Sequence, residues 1–331
     1  MTTKNILFLI VVLCAFGFFA YSVIRLIRFL KIGRPENRFN KPWARLKQTL
    51  VVAVAQSKIL REPVAGTMHA LIFWGFIVLL TAVLESLAEG LIDGFSLRFL
   101  GALYEPLVFM QDLFAGLVIL SVVVALFRRY VVRPKRLEVE GHGEFDAALI
   151  LVMILLIMVS MLGQNATRAM LEERAATETR FLSALLQPLF TSADQSVTSL
   201  WFEIFWWTHI GIVLVFLNYL PYSKHLHVLT SVPNVYFSSS KAHGALTPIN
   251  LEAENVEKFG ASDVEDLTWK QLLDGYTCTE CGRCAASCPA NATGKILSPR
   301  KIIMDIRKRL EEKGPLVIDG QSRAEPPSDA E

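Results

Sequence analysis

Four of the five cysteines fall within eleven residues, as Cys278-x-x-Cys281-x-x-Cys284-x-x-x-Cys288-Pro289. Thiols this crowded are not a disulfide framework. The spacing is that of thiolates wrapped around a [4Fe–4S] cluster, with Gly282 easing the tight loop. A four-cysteine zinc site would show two separated Cys-x-x-Cys pairs instead. The ligand count leaves alternatives open. In two-cluster ferredoxins the fourth cysteine of this run ligates the other cluster, and the sequence carries no second motif. A partner subunit can supply further ligands, the chain can be a fragment of a longer product, or all four local cysteines can hold one cluster. Cys14 stands alone in an apolar stretch and reads as a small hydrophobe.

The histidines are the second chemical signal. His69 and His209 lie in apolar stretches, and His225 and His227 follow in Pro221-Tyr222-Ser223-Lys224-His225-Leu226-His227. Ionisable side chains in membrane helices are expensive and are functional candidates for that reason. His209 and His227 are eighteen residues apart, which is five turns and about 27 Å if the helix is continuous. On such a helix His225 faces elsewhere, and Pro221 is a candidate kink. Two neutral imidazoles from facing helices, His69 and His227, suit the axial positions of a haem iron. Bis-histidine ligation leaves no open position and favours electron transfer. Against this stands the plainer role of a histidine bonded to a neighbouring helix. His142 and His243 fall in polar loops and read as surface residues.

These groups must be positioned by membrane helices. Of 331 residues 53% are hydrophobic and 19% charged, with a mean hydropathy of +0.41. Soluble domains carry about 25% charged residues. The apolar excess gathers in five stretches, residues 5–30, 68–88, 105–127, 145–162 and 200–220, each near the roughly 20 residues a bilayer requires. The first is too long for a signal peptide and is followed by basic residues, so it reads as a retained helix. Lys and Arg crowd the first and third connections (Arg25 to Arg61; Arg128 to Arg136), whereas the second holds Arg98 alone. By the positive-inside rule the N-terminus is outside and the C-terminal domain is cytoplasmic, in an inner-membrane multi-pass protein. Solvated loops and lipid headgroups account for the basic residues, so no nucleic-acid partner is expected. Residues 43–60 read as an interfacial helix. Residues 233–274 read as a linker, 299–310 as a basic-faced helix and 321–331 as a disordered tail.

Taken together, these residues resemble a known family. The five-helix layout and Pro221-Tyr222-Ser223-Lys224…His227-Val228…Ser231-Val232-Pro233 resemble the cytochrome b (gamma) subunit of respiratory nitrate reductase. The resemblance implies haem b ligation by His69 and His227. That family's second haem uses a further helix-2 histidine where this chain has Leu79, so His209 is left as a second-haem or quinone residue. More closely, nearly the whole chain resembles membrane proteins related to heterodisulfide reductase, one branch of which passes electrons from electron-transfer flavoprotein to menaquinone. His69-Ala70-Leu71-Ile72-Phe73-Trp74-Gly75-Phe76, Ser223-Lys224-His225-Leu226-His227 and Ser298-Pro299-Arg300-Lys301-Ile302-Ile303-Met304-Asp305 carry that resemblance.

The expected fold is therefore an all-α membrane protein. A five-helix cytochrome b-type domain (residues 1–232) precedes a small, mainly helical, ferredoxin-like 4Fe–4S domain (233–331). The expected function is oxidoreductase electron transfer between a cytoplasmic partner, a flavoprotein or a cysteine-rich iron–sulfur subunit, and menaquinone. The alternatives are a quinol-oxidising subunit of a heterodisulfide-reductase-like complex and a non-catalytic membrane anchor. Quinone chemistry couples electrons to protons and needs acid/base groups. Glu85, Glu89, Asp112, Glu203 and His209 are candidates, and His209 with Asp112 or Glu85 is the expected quinone or proton site. Trp201, Trp206 and Trp207 read as an aromatic belt and packing rather than a quinone box.

Overall fold

The computed structural model describes residues 2–137, 143–172, 180–191, 193–242, 245, 252 and 260–320. His142, His243, the 321–331 tail and much of the expected linker lie outside these residues. All regular elements among the described residues are helical, with one isolated bridge between Arg34 and Thr268. Five helices are long and apolar enough to cross a bilayer: Thr3–Leu30, Pro63–Leu91, Leu97–Val132, Glu144–Leu171 and Gln195–Tyr222. Each contains one of the five expected stretches, and the protein is an all-α membrane protein.

By its internal packing the chain forms two compact units over the described residues. The first comprises Met1–Phe19, Gln56–Pro134 and Glu140–Tyr219; the second comprises Ala20–Ala55, Lys135–Val139 and Leu220–Glu331. These units are interleaved along the chain, whereas the sequence reading divided it once, at 232/233.

The first unit contains α3 (Pro63–Leu91), α4 (Tyr104–Phe127), α5 (Gly143–Leu171), the short α6 (Phe181–Ala184), α7 (Gln195–Tyr219) and the start of α1 (Thr3–Leu30). Helix α5 packs along α7, and α3 and α5 each pack on α4. Their shared core is Leu79, Ala115, Val118, Val122, Ile157, Met158, Met161 and Leu162. In lipid, apolar burial alone gives helices little reason to associate, so close approach and polar contacts matter more. Gly90 supplies the first: a Cβ there would lie 2.3 Å from the Phe8 ring. Gln111 Nε2 supplies the second, donating to Thr81 Oγ1 across α3 and α4 at 2.9 Å.

The second unit is built from α2 (Pro42–Thr49), α8 (His227–Tyr236), α9 (Trp269–Thr277), α10 (Arg283–Ala286), α11 (Pro289–Ala292) and α12 (Pro299–Ile318). Helix α8 packs on α2 and α9, and α9 on α12. Phe29, Leu226, Val264, Leu272, Tyr276 and Leu310 form the core. Local sequence explains the helix starts. Thr268 and Gln271 form a reciprocal capping box for α9, and Ser298 caps α12 with Pro299 in its first turn. Helix α12 runs well past the expected residue 310, to Ile318.

Two expectations are corrected. The stretch 43–60 is not one helix: α2 continues as a π turn over Leu50–Val54 and then stops. Gln56 has a φ of 56°, which a right-handed helix cannot incorporate. Nor does a continuous helix join His209 to His227. Helix α7 ends at Tyr219 and is followed by 3-10 turns at Leu220–Tyr222 and Lys224–Leu226, with Ser223 extended at φ −110°, ψ 170°. Pro221 has no N–H to continue the ladder, so the shared-face argument for these two histidines fails.

Candidate redox site

The cysteine loop begins where α9 ends. Cys278 is the C-cap of α9, Cys284 lies in α10 and Cys288 is the N-cap of α11, whose first residue is Pro289. Two left-handed residues turn the chain on either side of Cys281: Glu280 at φ 58° and Gly282 at φ 72°. At 282 only glycine fits, because a Cβ would lie 2.3 Å from the Arg136 carbonyl oxygen. That same oxygen accepts a 2.9 Å hydrogen bond from Arg300 Nη1 of α12. The segment around Arg136 thus braces the loop from one side and α12 from the other.

All four motif cysteines are free thiols, Cys284 exposed and the others partly buried. Burial pushes the Cys278 thiol above its ordinary range, and Cys281, Glu280 and Cys284 add to the shift, opposed by a hydrogen bond from the backbone of Glu280. Among the described residues no three His, Cys, Asp or Glu side chains converge on one metal-holding point. Four thiols on a short, glycine-relieved loop nonetheless form the donor set that iron–sulfur clusters require.

His227 opens α8 in the same unit. Its Nδ1 lies 3.1 Å from the Lys224 carbonyl oxygen. A carbonyl only accepts, so Nδ1 carries the proton and Nε2 the lone pair, which is the tautomer a metal ligand needs. Burial lowers the proton affinity of this ring and outweighs the carbonyl's opposing effect, which favours neutral imidazole. The residues therefore fit a haem ligand. The His225 ring lies nearby, tilted by 58° with ring centroids 5.2 Å apart. His69 lies partly buried on α3, in the first unit.

The three candidates for a quinone or proton site have separate surroundings. His209 is 1% exposed on α7. Its Nδ1 donates to the Ile157 carbonyl of α5 at 3.1 Å, and its Nε2 is buried with no hydrogen-bond partner among the described residues. Asp112 is also 1% exposed, but its carboxylate accepts from Leu182 N at 2.6 Å, Ser183 Oγ at 2.6 Å and Ser183 N at 3.2 Å. It is the N-terminal anchor of α6. Glu85 accepts from Ser96 Oγ and Leu97 N, both at 2.8 Å, and so holds the turn that leads into α4. Glu89 pairs with Arg168 and Glu203 with Lys4, each at 2.6 Å. Trp206 is buried and packs against Phe8.

Sequence reasoning missed Lys224. It is 8% exposed, and its Nζ lies 3.2 Å from Glu280 Oε2 in the cysteine loop. Its place in Ser223-Lys224-His225-Leu226-His227 was the only available signal.

Fold and loop together define a class: helical membrane proteins bearing a four-thiol, iron–sulfur-type loop. Comparison with known proteins points the same way. The chain is 33% identical over 312 residues to the "Probable iron-sulfur-binding oxidoreductase FadF" of Bacillus subtilis (strain 168), covering 94% of this chain and 44% of that protein. It is 29% identical over 313 residues to the "EtfAB:quinone oxidoreductase" of Syntrophomonas wolfei, covering 92% of this chain and 42% of that one. A shorter match, 47% over 47 residues, is to a "Probable membrane-anchored ferredoxin" of Chromohalobacter salexigens, covering 14% of this chain and 7% of that protein. The chain thus spans less than half the length of the curated relatives it matches. No family model and no solved structure matches it.

Proposed function

We propose that this chain is a membrane-bound electron-transfer component working between a soluble redox partner and a membrane quinone. The observation that carries the reading is the composition of the second unit. The cysteine loop and the His227 turn share one core, in which Leu226 packs with Leu272, Tyr276 and Leu310. Thr277 Oγ1, one residue before Cys278, donates to Thr230 Oγ1 of α8 at 3.1 Å. A four-thiol loop and a metal-type histidine in one compact unit suit electron exchange better than a passive anchor. The names of the two longer relatives, an iron–sulfur-binding oxidoreductase and an EtfAB:quinone oxidoreductase, support the same reading.

Cys278, Cys281, Cys284 and Cys288 would hold a [4Fe–4S] cluster, and His69 with His227 a haem b. Both groups, when bound, supply one-electron transfer. The pairing of His69 with His227 rests on the sequence resemblance. Asp112 and Glu85 are engaged as anchors, which makes His209 the preferred residue facing quinone or its protons. As an acceptor, His209 Nε2 suits a hydroquinone hydroxyl. The soluble partner is proposed to be a flavoprotein and the quinone menaquinone. The second unit is placed on the cytoplasmic side, following the basic first and third connections.

The test is a pyridine haemochrome spectrum with non-haem iron and acid-labile sulfide on the purified protein. The expected content is about one haem b and four irons, with haem lost in His69→Ala and in His227→Ala. Iron and sulfide without haem in the parent protein would replace the conduit with a membrane-anchored iron–sulfur subunit.

A further inference from the structure

Lys224 occupies an unusual position. Its main-chain carbonyl fixes the His227 ring through a 3.1 Å hydrogen bond. Its side chain, almost buried, reaches Glu280 at 3.2 Å. Glu280 stands between Cys278 and Cys281 and holds a left-handed backbone, φ 58°, that non-glycine residues seldom adopt. The neighbouring turn is itself fixed, because Arg307 Nη2 of α12 donates to the Ser223 carbonyl at 3.1 Å. A nearly buried lysine costs desolvation, and that cost is offset only by a well-placed partner. Here the partner is the residue that shapes the cysteine loop.

We infer that Lys224 is a positioning residue for the redox centre of that loop. Its ammonium group holds Glu280 and sets the local field, while its carbonyl orients His227. The inference rests on the proposed reading that the four cysteines hold a cluster. Reduction adds one electron, and so one negative charge, to the thiolate-rich centre. A nearby cation favours the reduced form and a nearby carboxylate disfavours it. The two halves of the pair must therefore act in opposite directions.

The experiment is an EPR-monitored redox titration of the full-length protein with dithionite and mediator dyes, with iron and sulfide assayed on each variant. Lys224→Met is expected to lower the reduced-to-oxidised ratio at a fixed potential by roughly tenfold, about 59 mV for a one-electron couple. Glu280→Gln is expected to raise it by a similar factor, and Lys224→Arg to stay near the parent value. Shifts of the same sign in Lys224→Met and Glu280→Gln, or no shift in either with four irons retained, would overturn the inference. Iron lost from Lys224→Met but kept in Lys224→Arg at the parent potential supports it. Iron lost from both assigns Lys224 to packing alone and overturns it. A parent protein without iron and sulfide would instead sink the underlying cluster reading.

Discussion

Both units bury strongly polar side chains, and they put them to different uses. In the first unit Asp112 and Glu85 spend their carboxylates on backbone and hydroxyl donors of the segments that follow them in space. They act as anchors for turns, and their acidity is not offered to a ligand. In the second unit the charged residues form long-range pairs that tie separate helices together. Asp263 accepts from Arg309 and Lys313 of α12, Lys313 also reaches Glu265, and Lys224 reaches Glu280. A lipid-facing bundle has no water to satisfy a loose turn, so Asp112 and Glu85 serve there as caps, while Glu89 and Glu203 of the same unit pair with Arg168 and Lys4. A unit carrying a thiol loop needs its loop and histidine held against each other, and ion pairs between helices do that.

The contrast can be attacked at several points. The largest effect is expected at the loop itself: Cys281→Ser should abolish most of the iron and sulfide content without lowering the helical circular dichroism. Asp112→Ala comes next. It leaves three donors at Leu182 and Ser183 without an acceptor and should cost roughly 2–5 kcal/mol, seen as a lowered thermal midpoint in detergent. Asp112→Asn keeps an acceptor oxygen and should lose less than half of that. Quinone turnover destroyed in Asp112→Asn with stability retained would show that the carboxylate does more than anchor α6. Gly282→Ala meets both the positive φ and the Arg136 oxygen, and should destabilise the second unit by about 2 kcal/mol. Limited proteolysis would detect this as faster cleavage near the loop.

The smallest effect concerns Asp263. Hydrogen bonds from Arg309 hold its carboxyl below the usual carboxylate range, helped by Lys313 and the Val264 N–H against a partial burial penalty. Because the folded value is the depressed one, the stabilisation is fully present above the unfolded value of about 3.9. It is lost as the pH falls below that value toward the folded one. Asp263→Asn should cost on the order of 1 kcal/mol at neutral pH, and should show a flatter stability profile than the parent below pH ~4. An unchanged acid profile would remove this network from the account of the second unit.

Much of the architecture was legible in the chain. The five apolar stretches are long, uninterrupted and separated by polar connections, so only their ends moved. The cysteine spacing was readable because a tight loop leaves few alternatives. What stayed hidden involves partners far apart in sequence with no periodic signature. Asp112 meets its donors about 70 residues away, and Lys224 meets Glu280 across 56 residues. The Arg136 carbonyl that fits against Gly282 belongs to the main chain, and composition does not reveal it. The break after Tyr219 was half visible. Pro221 marked a disturbance, but the extended Ser223 that separates the two 3-10 turns gives no local signal. Helical arithmetic applied across that point therefore misplaced His209 relative to His227.

The carbonyl acceptors of His209 and His227 have a consequence for how the protein tolerates change. Each ring is oriented by a peptide oxygen, of Ile157 and of Lys224 respectively. No point substitution deletes a peptide oxygen, and no physiological pH protonates it. The orientation of both rings is thus inherited with the backbone path itself. Side chains at 157 and 224 remain open to genetic drift as far as ring orientation is concerned.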